Sequence, residues 1–155
     1  MMLHSTLRPI EILLVEDNPG DARLTYEALR EAQLSHRLQL VTDGEAALAY
    51  LRREGCYAQA VRPDLVLLDL HLPRKSGWEV VAEMRRDDRL RELPVAILAG
   101  IPEEATELAA GYAPVVGTLA KPLDSEQFCA LASAVECLGQ AMAECPSRTE
   151  AKGTV

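Results

Sequence analysis

A short apolar segment that ends in an acidic residue is the feature that most constrains how this chain can fold. Leu65–Leu68 is an unbroken apolar run, and Asp69 follows it directly. A run this short and this continuous is typical of a strand buried on both faces of a parallel sheet. Pro73 and Gly77 then break the chain into a loop. We therefore predict that Asp69 lies at the carboxyl end of a central strand, where open α/β sheets carry their chemistry.

Other apolar segments alternate with amphipathic ones along the chain. Four more strands are predicted, over Ile10–Val15, Leu38–Val41, Pro94–Ala99 and Val115–Ala120. Five helices are predicted: one after Asn18 with an apolar stripe of Leu24, Ala28, Leu29 and Ala32, one over Ala46–Leu51, one from Gly77, one over Glu103–Gly111, and one from Asp124 or Ser125 past Leu138. This alternation implies a flavodoxin-like, doubly wound parallel sheet in the α/β class, with strand order 2-1-3-4-5. Residues 9–140 form the predicted domain, between an arm at 1–8 and a polar tail at 141–155.

Composition narrows the classes of function. The chain has 155 residues, is 48% hydrophobic and carries a net charge of −8, so we expect a globular domain that does not bind nucleic acid. No apolar run approaches the roughly 18–20 residues that span a bilayer, and the first residues lack a continuous apolar segment. We therefore expect a cytoplasmic protein that does not enter a membrane. The four cysteines form no CxxC pair and the three histidines are scattered, which disfavours a zinc site.

Three of the predicted strands end in ionisable residues. Glu16 and Asp17 end the first strand, Asp69 the third and Lys121 the fifth. In the predicted strand order these side chains face one crevice. Carboxylates about 4 Å apart repel each other by roughly 4 kcal/mol at an effective dielectric constant of about 20, which one lysine does not offset. Taken singly, each residue could cap a helix or form a surface ion pair. Together they predict a Mg²⁺ site at which a carboxylate attacks a phosphoryl group.

Four segments of the chain resemble the receiver domain of response regulators in two-component signalling, which has a CheY-like fold. The segments are ILLVEDNPGD (Ile12–Asp21), DLVLLDLHLPRKSGWEV (Asp64–Val80), ELPVAIL (Glu92–Leu98) and AKPL (Ala120–Leu123). The resemblance extends over residues 8–140. EDNPGD, the long loop before the third strand and RLRELP before the fourth further resemble the stand-alone regulators associated with bacterial phytochrome histidine kinases.

The resemblance implies a role for each residue of the predicted site. Asp69 would accept a phosphoryl group from a phosphohistidine of a sensor histidine kinase, and Lys121 would contact the phosphoryl oxygens. Mg²⁺ would be bound by four groups: Asp17 and Asp69 directly, Glu16 through water, and the backbone carbonyl of His71. The Lys121–Pro122 peptide bond is expected to be cis. The domain would assist its own phosphorylation and dephosphorylation and would not otherwise be an enzyme.

Two positions depart from the pattern of this family. Receivers usually carry Thr or Ser at the end of the fourth strand and Tyr or Phe three residues before the lysine, where this chain has Ala99 and Thr118. Gly100 keeps the small residue that lets a phosphoryl group approach. A hydrogen bond to a charged group contributes about 1.5–3 kcal/mol, so we expect phosphorylation to survive and its coupling to the fourth and fifth strands to weaken.

The output of such a domain would be contacts with a downstream protein, which the sequence does not identify. A homodimer through the region from the fourth to the last helix is one alternative. Another is a receiver that is never phosphorylated and serves as a docking or dimerisation scaffold. An enzyme on the same fold fits less well, because an aspartate-nucleophile phosphatase needs a second Asp where His71 stands. A flavin protein would need a Ser/Thr/Gly-rich phosphate loop in place of Glu16 and Asp17.

Overall fold

One sheet of five parallel strands forms the centre of the protein. The computed structural model describes residues 9–101 and 115–134. The strands are β1 (Ile10–Val15), β2 (His36–Val41), β3 (Leu65–Asp69), β4 (Val95–Ala99) and β5 (Val115–Ala120). Their order is β2-β1-β3-β4-β5 and every neighbouring pair is parallel. The predicted α/β, flavodoxin-like (CheY-like) fold is therefore confirmed.

Helices cover both faces of the sheet. Within the described residues they are α1 (Pro19–Glu31), α2 (Gly44–Arg52), α3 (Gly77–Arg86) and α4 (Ser125–Ala134), with a short 3-10 turn at Gly55–Tyr57. Helices α1 and α4 pack on one face, and α2 and α3 pack on the other. None of these helices has the length and apolar character needed to cross a bilayer. The predicted helix over Glu103–Gly111, the arm and the tail lie outside the described residues.

The central strands are buried on both faces, as the continuous apolar runs predict. All of Leu65–Leu68 is 0% exposed, and the residues of β4 are buried too. Alternate residues of β3 point into the two opposite apolar cores. Burying one such side chain contributes about 1.5–3 kcal/mol, so the strand that ends in Asp69 is held firmly from both sides.

Local capping fixes where the helices begin beside the sheet. Asn18 Oδ1 accepts a hydrogen bond of 3.0 Å from the Asp21 N–H, which starts α1 directly after β1. Ser76 and Glu79 form a capping box at the start of α3, with each side chain accepting from the other's backbone N–H. Such caps satisfy backbone donors that the first helical turn leaves unpaired. The loops after β1 and β3 are therefore short and fixed at both ends.

Some predicted details are wrong. Leu24 is 47% exposed, and Thr25 takes its place in the buried stripe of α1. Thr25 can be buried because its hydroxyl donates to the Asp21 carbonyl at 3.0 Å, which satisfies its polar group. Strand β2 begins two residues earlier than predicted, since pairing with β1 extends the edge strand through polar residues to His36. Helix α2 begins at Gly44 because the Asp43 side chain caps it.

Candidate functional site

Three carboxylates meet at the carboxyl ends of β1 and β3. One oxygen from each of Glu16, Asp17 and Asp69 lies within 4.8 Å of the others. Glu16 and Asp69 are buried, and Asp17 is exposed. The backbone places them there: Glu16 N–H extends the pairing of β1 by donating to Val41 O at 3.0 Å, and Asp69 pairs with Leu98 in β4. The structure thus brings together the three acids that the sequence singles out.

The ammonium group of Lys121 lies among these carboxylates. Its Nζ is 3.2 Å from Glu16 Oε1 and 3.4 Å from Asp69 Oδ2. It also contacts Asp21 Oδ2 at 2.9 Å, an acid that the sequence pattern does not assign to the site. The closeness of Asp21 in sequence to Glu16 and Asp17, as the acid in the first turn of α1, is the signal that could have revealed it. Three negative groups therefore surround one positive group.

The surroundings of the lysine backbone are also well defined. Lys121 N–H donates to Ala99 O at 2.9 Å, and Gln127 Oε1 accepts from the Ala120 N–H at 2.8 Å. The Lys121–Pro122 peptide bond is cis. These contacts link the end of β5 to β4 and to α4, and they place the lysine side chain above the sheet edge.

The charges in the site shift the proton affinities of its members. Burial raises the pKa of Glu16 to about 7, and the nearby charge and hydrogen bond of Asp69 act in the same direction, against the opposing effect of Lys121. Burial alone would lower the pKa of Lys121, but the hydrogen bond to Asp21 and the charges of Asp69 and Glu16 raise it above its ordinary value. The lysine is thus held as a cation in a site with an excess of negative charge.

The donor set fits a hard divalent cation. Glu16 Oε1 is the one buried side-chain oxygen in residues 9–101 and 115–134 that accepts no hydrogen bond, and its ion-pair partner Lys121 is shared with two other acids. Buried oxygens almost always have a partner. An all-oxygen cluster with few protein ligands suits Mg²⁺, which keeps several water molecules. In the described part of the chain, no other group of three metal-ligating side chains is found.

The remaining predicted residues lie around this cluster. His71 N–H donates to Asp69 Oδ1 at 3.4 Å, while the imidazole of His71 is exposed. Ala99 is opposite Ala120 in the β4–β5 pairing, and Thr118 is partly buried opposite Ile97. Gly100 is exposed, and a methyl group on its Cα would meet no heavy atom of residues 9–101 or 115–134 within 4 Å. No side chain of Gly100 borders the site, and position 99 carries no hydroxyl.

Known proteins resemble this chain over most of the described domain. The family model of the response regulator receiver domain matches residues 12–133. Response regulator Rcp1 of Synechocystis sp. is 46% identical over 90 residues, which are 58% of this chain and 61% of Rcp1. The chain thus matches less than two thirds of the length of that relative.

Two solved structures extend the comparison. The Mn²⁺-bound form of Rcp1 superposes with a TM-score of 0.66 at 39% identity, over 73% of this chain and 81% of the other. The phosphorylated cyanobacterial phytochrome response regulator RcpA gives a TM-score of 0.66 at 37% identity, over 92% of each chain. The acids and the lysine meet at the carboxyl ends of the strands, and the family model covers most of the chain. This chain belongs to the response regulator receiver domain family, and its relatives include phytochrome response regulators.

Proposed function

We propose that this domain accepts a phosphoryl group on Asp69 from a phosphohistidine of a sensor histidine kinase, and that a bacteriophytochrome is the kinase. The observation that carries the proposal is the placement of the buried Asp69 carboxylate 3.4 Å from Lys121 Nζ, beside two further acids. The phosphorylated state of RcpA, which is 37% identical, supports the same chemistry. The similarity to RcpA, a phytochrome response regulator, supports the choice of kinase.

The transfer is a single displacement at phosphorus. A carboxylate oxygen of Asp69 forms a bond to phosphorus while the P–N bond of the phosphohistidine breaks. The imidazole nitrogen leaves with the bonding electron pair and takes a proton from solvent. Lys121 places its positive charge against the phosphoryl oxygens, where charge must be neutralised during transfer. Gly100 places no side chain in the way of the group.

Glu16, Asp17, Asp69 and the backbone carbonyl of His71 are the groups that would hold Mg²⁺. When bound, the ion would neutralise the negative charge of the acids and of the phosphoryl oxygens. The buried oxygen of Glu16 without a hydrogen bond supports this assignment, as does the Mn²⁺-bound form of Rcp1. Reversible phosphorylation of its own aspartate is then the whole chemistry of the domain, which acts on no separate substrate.

Signalling would follow through contacts with a downstream protein in the cytoplasm. The switch is atypical in this proposal, because Ala99 offers no hydroxyl to the phosphoryl group and Thr118 replaces an aromatic side chain. The same two residues favour the second candidate function, a docking or dimerisation scaffold that is never phosphorylated. The proposed homodimer face extends from the predicted helix over Glu103–Gly111 to the last helix. Most of that region lies outside the described residues.

Labelling with a small phosphodonor tests the proposal directly. Incubation with acetyl phosphate and Mg²⁺ should add the mass of one phosphoryl group to the wild type and none to Asp69→Asn. Asp88→Asn is the matched control, because that aspartate is 84% exposed and pairs locally with Arg91. It should be labelled like the wild type. An unlabelled wild type would favour the scaffold, and a labelled Asp69→Asn would exclude Asp69 as the acceptor.

A further inference from the structure

Lys121 makes its best contact with an acid that has no part in the proposed transfer. Of its three carboxylate neighbours, Asp21 is the nearest at 2.9 Å, compared with 3.2 Å for Glu16 and 3.4 Å for Asp69. The contact with Asp21 also has the geometry of a hydrogen bond. The same cannot be said of the Glu16 contact, because Glu16 Oε1 accepts no hydrogen bond. The resting ammonium is therefore directed toward Asp21.

The backbone of Asp21 is held independently of this contact. Its N–H donates to Asn18 Oδ1 at 3.0 Å, and its carbonyl accepts from Thr25 Oγ1 at 3.0 Å, so α1 fixes its backbone. The side chain is 35% exposed, while those of Glu16 and Asp69 are 0% and 7% exposed. Asp21 thus lies at the rim of the site, between solvent and the buried acids, and is held there by the first turn of its own helix.

In this arrangement Asp21 and an incoming phosphoryl group compete for the ammonium group of Lys121. An ammonium group has only three N–H donors, and a phosphoryl group on Asp69 needs at least one of them. The more strongly Asp21 binds Lys121, the less the lysine contributes to the phosphoryl oxygens as they arrive. We propose that Asp21 is a positioning residue that competes with the incoming phosphoryl group for Lys121 and so limits the rate at which Asp69 is phosphorylated. This inference rests on the proposed function.

Removing the negative charge of Asp21 tests the competition. With acetyl phosphate and saturating Mg²⁺, Asp21→Asn should form the Asp69 adduct about threefold to tenfold faster than the wild type, as expected for the loss of one partly exposed charged hydrogen bond. Glu27→Gln is the matched control, because Glu27 lies in the same helix and pairs with Arg30, at 3.2 Å. Its rate should equal that of the wild type.

A double-mutant cycle separates competition for the lysine from a general effect of charge on the anionic donor. Lys121→Gln should be labelled slowly, and adding Asp21→Asn to it should change that slow rate by less than about 1.5-fold. A merely structural role of Asp21 would change the stability of α1, but it would not make the acceleration depend on Lys121. Urea unfolding of each variant measures that stability separately.

The outcomes distinguish this inference from the proposed function. If neither the wild type nor any variant is labelled, the proposed function fails and the inference fails with it. If the wild type and Asp21→Asn are labelled at equal rates, the proposed function stands and only the competition is refuted. An acceleration of the same size on the Lys121→Gln background would also refute the competition, because repulsion of the donor would then explain it.

Discussion

At the scale of single residues, Glu16 binds its proton more tightly in the folded protein than in an unfolded chain. Its pKa rises from 4.5 to about 7, chiefly through burial and then through the charge of Asp69. Between these two pH values the unfolded chain has lost the proton while the folded protein keeps it. Stability from this group is therefore complete below pH 4.5 and is lost as pH rises to about 7.

Glu16→Gln should make this loss visible. Glutamine is a neutral mimic of protonated Glu16, so the variant and the wild type should be about equally stable at pH 4.5. At pH 8 the metal-free variant should be the more stable by at most about 3.5 kcal/mol, at roughly 1.4 kcal/mol per pKa unit. Urea unfolding at several pH values gives the difference, in which the shared effects of other groups cancel.

Addition of Mg²⁺ at pH 8 should make the wild type more stable than Glu16→Gln. The ion binds the ionised carboxylate and stabilises the folded wild type by mass action, whereas the amide of Glu16→Gln is a poorer ligand. A stability difference that is independent of pH would contradict the raised pKa. A variant that gains as much from Mg²⁺ as the wild type would contradict the assignment of Glu16 to the metal site.

The site residues that lie at the carboxyl ends of strands were predictable from the sequence. Asp69 and Glu16 each follow an apolar run directly, and Lys121 follows the last strand, so the strand order brings them together. Asp21 was not predicted as part of the site, because its place in the first turn of α1 already has a local explanation. Only the three-dimensional position of Lys121 shows its second role.

At the scale of secondary-structure elements, Gly77 determines how closely α3 approaches the end of β3. A methyl group on its Cα would lie 2.6 Å from the Asp69 carbonyl oxygen and 2.8 Å from Leu70 Cα. Both are backbone atoms, which cannot rotate aside. Gly77 N–H also donates to Leu70 O at 2.9 Å. The helix can therefore begin here only with glycine, unless the loop that follows Asp69 moves.

Gly77→Ala should lower stability and also disturb the acceptor. We expect a loss of about 1–3 kcal/mol, as is typical for extra atoms forced into a packed region, and slower labelling of Asp69. Gly100→Ala is the control for stability alone, because a methyl group there meets no heavy atom of the described residues within 4 Å. It should keep or raise stability by less than about 1 kcal/mol. Equal unfolding midpoints for the two variants in urea would show that the loop moves away from the added methyl group at little cost in stability.

The boundaries of elements were less predictable than their existence. Strand β2 and helix α2 both begin before their first strongly apolar residues, at His36 and Gly44. Pairing with β1 and capping by Asp43 decide these starts, and neither leaves a hydrophobic pattern in the sequence. In α1, the exposed Leu24 shows the same limit, because an apolar residue one step away from the stripe cannot be told from a buried one by type alone.

At the scale of the whole molecule, the fold was predictable because burial dictates it. Continuous apolar runs at β3 and β4 require cover on both faces, and the alternation of strands and helices supplies it. The way in which a phosphoryl signal would spread through this fold is a separate matter. It depends on single side chains at the ends of β4 and β5, where Ala99 and Thr118 stand.

The missing hydroxyl at position 99 predicts a small response of β4 and β5 to phosphorylation. In the wild type, amide hydrogen exchange should slow around Asp69 on labelling and change little in β5 (Val115–Ala120). Ala99→Ser places a hydroxyl where the family usually has one, so labelling of that variant should also slow exchange in β5. Asp69→Asn with the same phosphodonor is the control for effects of the reagent. A large change in β5 of the labelled wild type would mean that the signal reaches this edge of the sheet without a hydroxyl at position 99.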